Sequence, residues 1–196
     1  MIPLVLASKS AARARLLAAA GVRFETVDSG LDETACKLKL VGRTPAAVAA
    51  ALAEAKALRA SSERPDALVI GADQALDVNG KLFDKAETMD EARARLIMLR
   101  GRAHQLHAAL AVARDGEVLW HETASATLVM RTFTDAWLDA YLARNPGPAL
   151  NAVGGYELEG EGAQLFDWID GDYFAVLGLP LLGLLDFLRD QGVLPR

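Results

Sequence analysis

The stretch that most constrains the fold is Ala67-Leu-Val-Ile-Gly-Ala-Asp73-Gln74-Ala-Leu-Asp-Val-Asn79-Gly80-Lys-Leu-Phe-Asp-Lys85. Leu68 to Ile70 are branched apolar residues of the kind that fill a central strand. Asn79-Gly80 is the dipeptide a two-residue type I′ turn requires, since both central positions need positive φ. Pairing outward from that turn sets Val78 opposite Lys81, Asp77 opposite Leu82 and finally Gln74 opposite Lys85, with partners roughly 5 Å apart. The expected product is a buried strand ending in the Asp73 carboxylate, with the Lys85 ammonium as a near neighbour. Ligands of α/β sheets gather at strand ends, so the pair reads either as part of a site or as a surface ion pair.

A single domain over residues 1–196 is expected, built as one compact unit or two close lobes, because a chain that is 52% hydrophobic at this length can bury a substantial core. The lone Cys36 has no internal disulfide partner, and no segment joins a basic flank, a long apolar run and a cleavage site. A cytoplasmic protein without membrane association is the expectation. A net charge of −5 argues against a broad nucleic-acid-binding face, but a few placed cations suffice for a phosphate-bearing small molecule.

Pro3 to Ala7 reads as a short strand, followed by Ser8-Lys9-Ser10 and a helix over Ala11 to Ala20 that Gly21 closes. Ser10 is the expected N-cap. A strand entering a helix N-terminus is an anion site by construction, to which Ser8, Ser10 and Arg13 add donors. Val22 to Thr26 reads as an edge strand, and Asp32-Glu33 as an acidic pair in a loop. Thr44-Pro45 starts a helix through about Arg59, on which Lys56 follows the stripe Val48, Leu52, Ala55 and can extend past it into a cleft.

Thr88 to Glu91 is a capping box for a helix that stops at Gly101. Two alternating strands follow, Ala103 to Arg114 and Glu117 to Phe133, joined by Asp115-Gly116. His104, His107 and His121 show no metal-ligand spacing. Thr134 caps a helix to about Arg144, which Asn145-Pro-Gly-Pro148 ends. The glycine-rich acidic segment Asn151 to Ala163 suits a mobile closing loop. Gln164 to Ile169 and Tyr173 to Leu177 read as strands, and Leu181 to Asp190 as a last helix. The fold class is mixed α/β.

Taken together, Leu-Ala-Ser8-Lys-Ser10-x-x-Arg13-x-x-Leu-Leu, Asp32-Glu33, Ala55-Lys56-Ala57, Ile-Gly-Ala-Asp73-Gln74, Asn-Gly-x-x-x-x-Lys85, Gly101-Arg-x-His104, Glu159-Gly, Gly171-Asp-Tyr-Phe and Gly178-Leu-Pro-Leu resemble the Maf family over essentially the whole chain. The resemblance implies an elongated mixed sheet flanked by helices, with two lobes around a central cleft, as in the related inosine triphosphatase group. It implies hydrolysis of a nucleoside triphosphate between the α- and β-phosphates, with a divalent metal, Mg²⁺ or Mn²⁺; a non-catalytic nucleotide-binding regulator of division is the alternative. A homodimer is compatible with it. By the same resemblance Asp73, Glu33 and Lys85 are catalytic, Asp73 and Glu33 bind the metal, and Ser8, Ser10, Arg13, Lys56, Gln74 and Glu159 bind substrate. Gln74 and Glu159 resemble the branch acting on 7-methyl-GTP, whereas Ala12 stands where that branch often has tryptophan. Ala11, Asp84, Ala86 and Ala108 also depart from the common pattern, and none of these removes a charged group.

Overall fold

Apolar residues run from Leu4 to Ala7, and the computed structural model, which describes residues 2–196, makes them a fully buried strand β1 (Leu4–Ala7) that gives out at Ser8. The Ser10 hydroxyl then accepts from the Arg13 N–H and starts α1 (Ala11–Ala19), which Gly21 closes at φ +74°. The alternating stretch beyond yields a three-residue edge strand, β2 (Glu25–Val27). Of the acidic pair expected in a loop, Asp32 ends the loop and Glu33 opens a helix. The Asp32 carboxylate accepts from the Ala35 N–H at 2.9 Å and caps α2 (Glu33–Lys39), a helix that buries none of its side chains. Lacking an apolar stripe, α2 carries no periodic signal in the sequence.

Thr44 caps α3 (Pro45–Glu63), as expected. The central strand β3 (Leu68–Val78) does not end at Asp73 but continues to the hairpin with β4 (Lys81–Phe83). Asn79 and Gly80 take φ +54° and +81°, and Val78, Asp77 and Leu76 pair with Lys81, Leu82 and Phe83. There the hairpin stops. Gln74 therefore has no partner on the hairpin side, since β4 ends at Phe83, and is paired only across the other edge, with Ala108 on β5.

Thr88 caps α4 (Met89–Leu99), followed by β5 (Ala103–Arg114) and β6 (Glu117–Met130). Thr134 caps α5 (Asp135–Arg144), and Pro146 begins a further short helix, α6 (Pro146–Asn151), rather than only ending the previous one. A 3₁₀ turn at Glu161–Leu165 precedes β7 (Phe166–Gly171). The segment expected as a strand after it is a helical turn, α7 (Tyr173–Val176), because the Asp172 carboxylate accepts from the N–H groups of Phe174 and Ala175 at 2.6 and 3.0 Å. The chain closes with α8 (Leu181–Asp190).

The seven strands form one sheet in the order β2-β1-β3-β5-β6-β7, with β4 paired to β3. β1 is parallel to β2 and β3, and the remaining pairs are antiparallel. Two separate cores build the lobes. Leu6, Leu17, Ile70, Val112, Leu179 and Leu184 belong to one, and Leu76, Leu96, Leu106, Leu128, Leu138 and Tyr141 to the other. Gln74 lies on β3 between their contributions. Among the described residues no helix is long and apolar enough to cross a membrane.

Candidate active site

β3 is longer than either partner on its outer edge, and that mismatch creates the site. β1 pairs with it up to Gly71, and β4 pairs from Leu76 onward. Between them the edge is forked: the chain leaves at Ser8 on one side and at Asp84-Lys85 on the other. A cleft of about 1190 Å³ occupies the fork, lined by Ser8, Arg13, Glu33, Lys56, Asp73 and Lys85 among others. Sequence pairing places Asp73 beside Lys85 for the wrong reason, since they are not hairpin neighbours, yet both line the fork.

The floor is set by close packing. Ala49, Ala53, Ala57 and Ala60 give α3 a smooth stripe of buried methyl groups, and Gly71 lets it descend onto β3. A Cβ at position 71 would lie 2.2 Å from the Ala53 carbonyl oxygen and 2.4 Å from the Ala57 nitrogen. This approach buries Lys56 to 6% exposure and sets its Nζ 2.6 Å from Asp73 Oδ1 and 2.8 Å from Glu33 Oε1. Two carboxylates thus converge on one buried ammonium, which compensates the loss of hydration on burial. Burial acts to raise the Glu33 carboxyl, but the hydrogen bond and charge of Lys56, with Lys37 and Lys85, outweigh it and hold the group below its ordinary value.

Arg13, at the first turn of α1, is 9% exposed. Its Nε donates to the Gly178 carbonyl at 2.8 Å, and Nη1 donates to Ala72 O at 3.0 Å and Ser8 Oγ at 3.1 Å. The Ala72 bond satisfies part of the β3 edge that the fork leaves unpaired. Ser8 Oγ also accepts from the Ser10 N–H at 3.2 Å, so both serines shape the β1–α1 junction, and Nη2 has no protein partner among the described residues. Burial lowers the Arg13 guanidinium against the opposing charges of Asp73 and Glu33. Lys85 is lowered by burial and by repulsion from Arg13 and Lys56, partly offset by Glu33 and Asp73. The cleft end at the fork is therefore rich in cations that are incompletely neutralised, a setting suited to a polyanion.

Gln74 and Glu159 are placed differently from the other expected residues. Gln74 Nε2 donates to the Ala175 and Val176 carbonyls at 2.9 and 3.0 Å, holding α7 on the sheet and leaving its carbonyl as the polar atom available to a ligand. Glu159 accepts from Arg15 Nη2 at 3.3 Å, and Glu157, a residue that sequence reasoning missed, lies 3.5 Å from the same nitrogen. Nothing local signals a pairing across more than 140 residues. The Asn151 to Ala163 segment lines the cleft as expected of a covering loop, but it is pinned. Tyr156 is 5% exposed, shares a 2.6 Å hydrogen bond with His104 Nε2 and stacks edge-on against Phe166. Lys37 pairs with Asp84, and Lys9 with Asp28 at 2.7 Å, across the rim of the cleft; these too were not foreseen.

The family resemblance also implies a divalent cation at Asp73 and Glu33. Among the described residues no three His, Cys, Asp or Glu side chains are arranged to hold a metal. Two hard carboxylates beside a polyanion site nevertheless fit a cation such as Mg²⁺, which takes one or two carboxylates and completes its shell with phosphate oxygens and water. The donor set suits an ion that arrives with a phosphate ligand better than one caged by protein alone.

Residues 3–191 match the family model described as Maf-like protein. A nucleoside triphosphate pyrophosphatase of Caulobacter vibrioides is 56% identical over 99% of this chain and 98% of its own length. A nucleoside triphosphate pyrophosphatase of Paramagnetospirillum magneticum is 48% identical, covering 97% and 99%. A 7-methyl-GTP pyrophosphatase of Brucella abortus is 45% identical, covering 97% and 96%.

Proposed function

This chain belongs to the Maf-like protein family, and on that premise we propose how its cleft works as a nucleoside triphosphate pyrophosphatase, releasing a nucleoside monophosphate and pyrophosphate. The observation that carries the reading is the convergence of Asp73 and Glu33 on Lys56 at the sheet fork, with Arg13 and Lys85 alongside. A triphosphate brings about four negative charges, and its hydrolysis needs those charges neutralised, the chain of phosphates held in line and a water deprotonated.

Arg13, Lys56 and Lys85 bind and orient the phosphates, and the α1 N-terminus with Ser8 and Ser10 supplies further donors. Asp73 accepts the proton of the attacking water. Its oxygen Oδ2 is the one not engaged by Lys56, whose Nζ holds Oδ1 at 2.6 Å and fixes the orientation of the carboxylate. Glu33, kept ionised by the same ammonium, shares with Asp73 the binding of a divalent cation. Such a cation, when bound, withdraws charge from the phosphate oxygens and makes phosphorus more open to attack. A nucleotide substrate is consistent with the cytoplasmic location expected from the sequence, which remains part of this proposal.

The phosphate end of the cleft is fixed by these cations, so the base extends toward the wall formed by Ala12, Val153, Leu158 and Glu159. An acidic wall favours a base that is itself positive, and 7-methylguanine is such a base; the name of the Brucella relative supports the same preference. Purified protein with Mg²⁺ or Mn²⁺ and a panel of ordinary and methylated nucleoside triphosphates tests the whole reading. Pyrophosphate and a monophosphate are expected, with 7-methyl-GTP preferred to dTTP and UTP. Orthophosphate as first product, or binding without turnover, would overturn it.

A further inference from the structure

We propose that Arg15 determines nucleobase specificity in this protein, acting through the Glu157–Glu159 pair rather than by touching substrate. The proposal rests on the pyrophosphatase reading above. Arg15 lies on α1 three residues beyond Ala12, so the two share a face of the helix, and Ala12, Glu157 and Glu159 all line the cleft. The guanidinium sits behind that lining. Its Nη2 lies 3.3 Å from Glu159 Oε2 and 3.5 Å from Glu157 Oε2, whereas Oε1 of each carboxylate has no protein partner among the described residues.

Two acids on one nitrogen form a group of net charge −1. Without Arg15 the same wall would carry −2, and the two acids would repel each other at close range. The group is far from fully solvated, with 35% and 39% of the Glu159 and Glu157 side chains exposed, so screening is incomplete and a charge change there is felt by a base at the wall. Arg15 therefore sets how strongly the wall discriminates a cationic from a neutral purine. The free Oε1 atoms meet the base, while the cation behind them limits the advantage that a positive ring gains.

The segment bearing the acids is held independently of Arg15. Tyr156, buried in the core with Leu96, Leu106 and Leu128, is hydrogen-bonded to His104, and Gly154 allows its ring to close in, since a Cβ there would lie 2.3 Å from Tyr156 Cε1. Removing the exposed Arg15 side chain thus changes charge without releasing the wall.

Steady-state kinetics of wild type, Arg15→Met and Arg15→Lys with 7-methyl-GTP and GTP test this. Arg15→Met is expected to lower KM for 7-methyl-GTP and leave KM for GTP and both kcat values in place, widening the KM ratio by about fivefold to tenfold, an effect that shrinks at high salt. Arg15→Lys should return the ratio toward wild type. Equal changes in both KM values, no change, or a selective loss of GTP binding would each overturn the proposal. If wild type releases no pyrophosphate from any triphosphate, the pyrophosphatase reading itself fails and the proposal falls with it; turnover of both substrates with an unmoved ratio defeats the Arg15 assignment alone.

Discussion

Asp73 and Glu33 hold the same ammonium at nearly the same distance, yet they stand on unlike foundations. Asp73 belongs to an eleven-residue strand laddered at that point to β5 and packed under an alanine-faced helix. Glu33 opens a seven-residue helix with no buried side chain, tied down by its Asp32 cap, by Lys56 and by the pair of Lys37 with Asp84. Leu38, in that helix, and Val41 just beyond it are exposed at 72% and 82% and face the cleft. Position is therefore precise on the β3 side and adjustable on the α2 side. A reaction that requires a fixed base and a substrate that must enter and leave is served by that division.

The largest expected effect breaks the comparison at its rigid end. Asp73→Asn should lower kcat by about 10³-fold with the fold retained in a thermal melt, whereas Glu33→Gln, on the adjustable side, should cost about 10²-fold or less. Equal losses would mean that the two acids act as one unit. Gly71→Ala attacks the floor itself. With a Cβ 2.2 Å from the Ala53 carbonyl, α3 must lift, and equilibrium denaturation should show a loss of roughly 2–3 kcal/mol together with reduced kcat as Lys56 moves from Asp73. Wild-type stability and activity in this variant would show that α3 can slide without consequence.

The third prediction concerns pH. Burial and the neighbouring Arg13 disfavour the charged form of Lys85, so its ammonium loses its proton at a lower pH than a free lysine. kcat/KM should accordingly fall on the alkaline side below the ordinary lysine value of about 10.5. The corresponding limb in kcat should lie higher, because bound phosphate favours the ammonium. Lys85→Arg, with its higher intrinsic pKa, should remove the limb; an unchanged profile would assign it elsewhere. The smallest effect is expected at the adjustable end. Lys37→Met removes a largely exposed ion pair, so stability should change by less than about 1 kcal/mol, while KM rises about twofold to threefold as α2 loosens. A large drop in melting temperature would show that α2 is a structural part of the floor.

Where a local rule governed the backbone, the residues announced the element. Asn79-Gly80 and Asp115-Gly116 demanded positive φ and gave turns; Ser10, Thr44, Thr88 and Thr134 capped the helices expected of them. The misreadings have physical causes. α2 has no apolar face to betray it, Pro146 serves equally to end a helix or to open one, and the apolar run after Asp172 looked like a strand until its carboxylate captured two N–H groups. At the site, Ser8, Arg13, Lys56, Asp73 and Lys85 were named from sequence and line one cleft. Glu157 was missed because its partner Arg15 is remote in the chain, and the hydrogen bonds that engage Gln74 with α7 were invisible for the same reason.

The sequence by itself determined the chemistry in hand: the acids and cations, the turns and caps, and an apolar content sufficient for a core. Which groups meet was decided by tertiary structure alone. The fork exists because β1 stops at Ala7 and β4 at Phe83 while β3 continues, leaving the β3 edge between Gly71 and Leu76 without a strand partner. Lys56 meets Asp73 because Gly71 admits a helix to within contact of a strand backbone. Those distances depend on packing between segments far apart in the chain, which no local pattern of residues encodes.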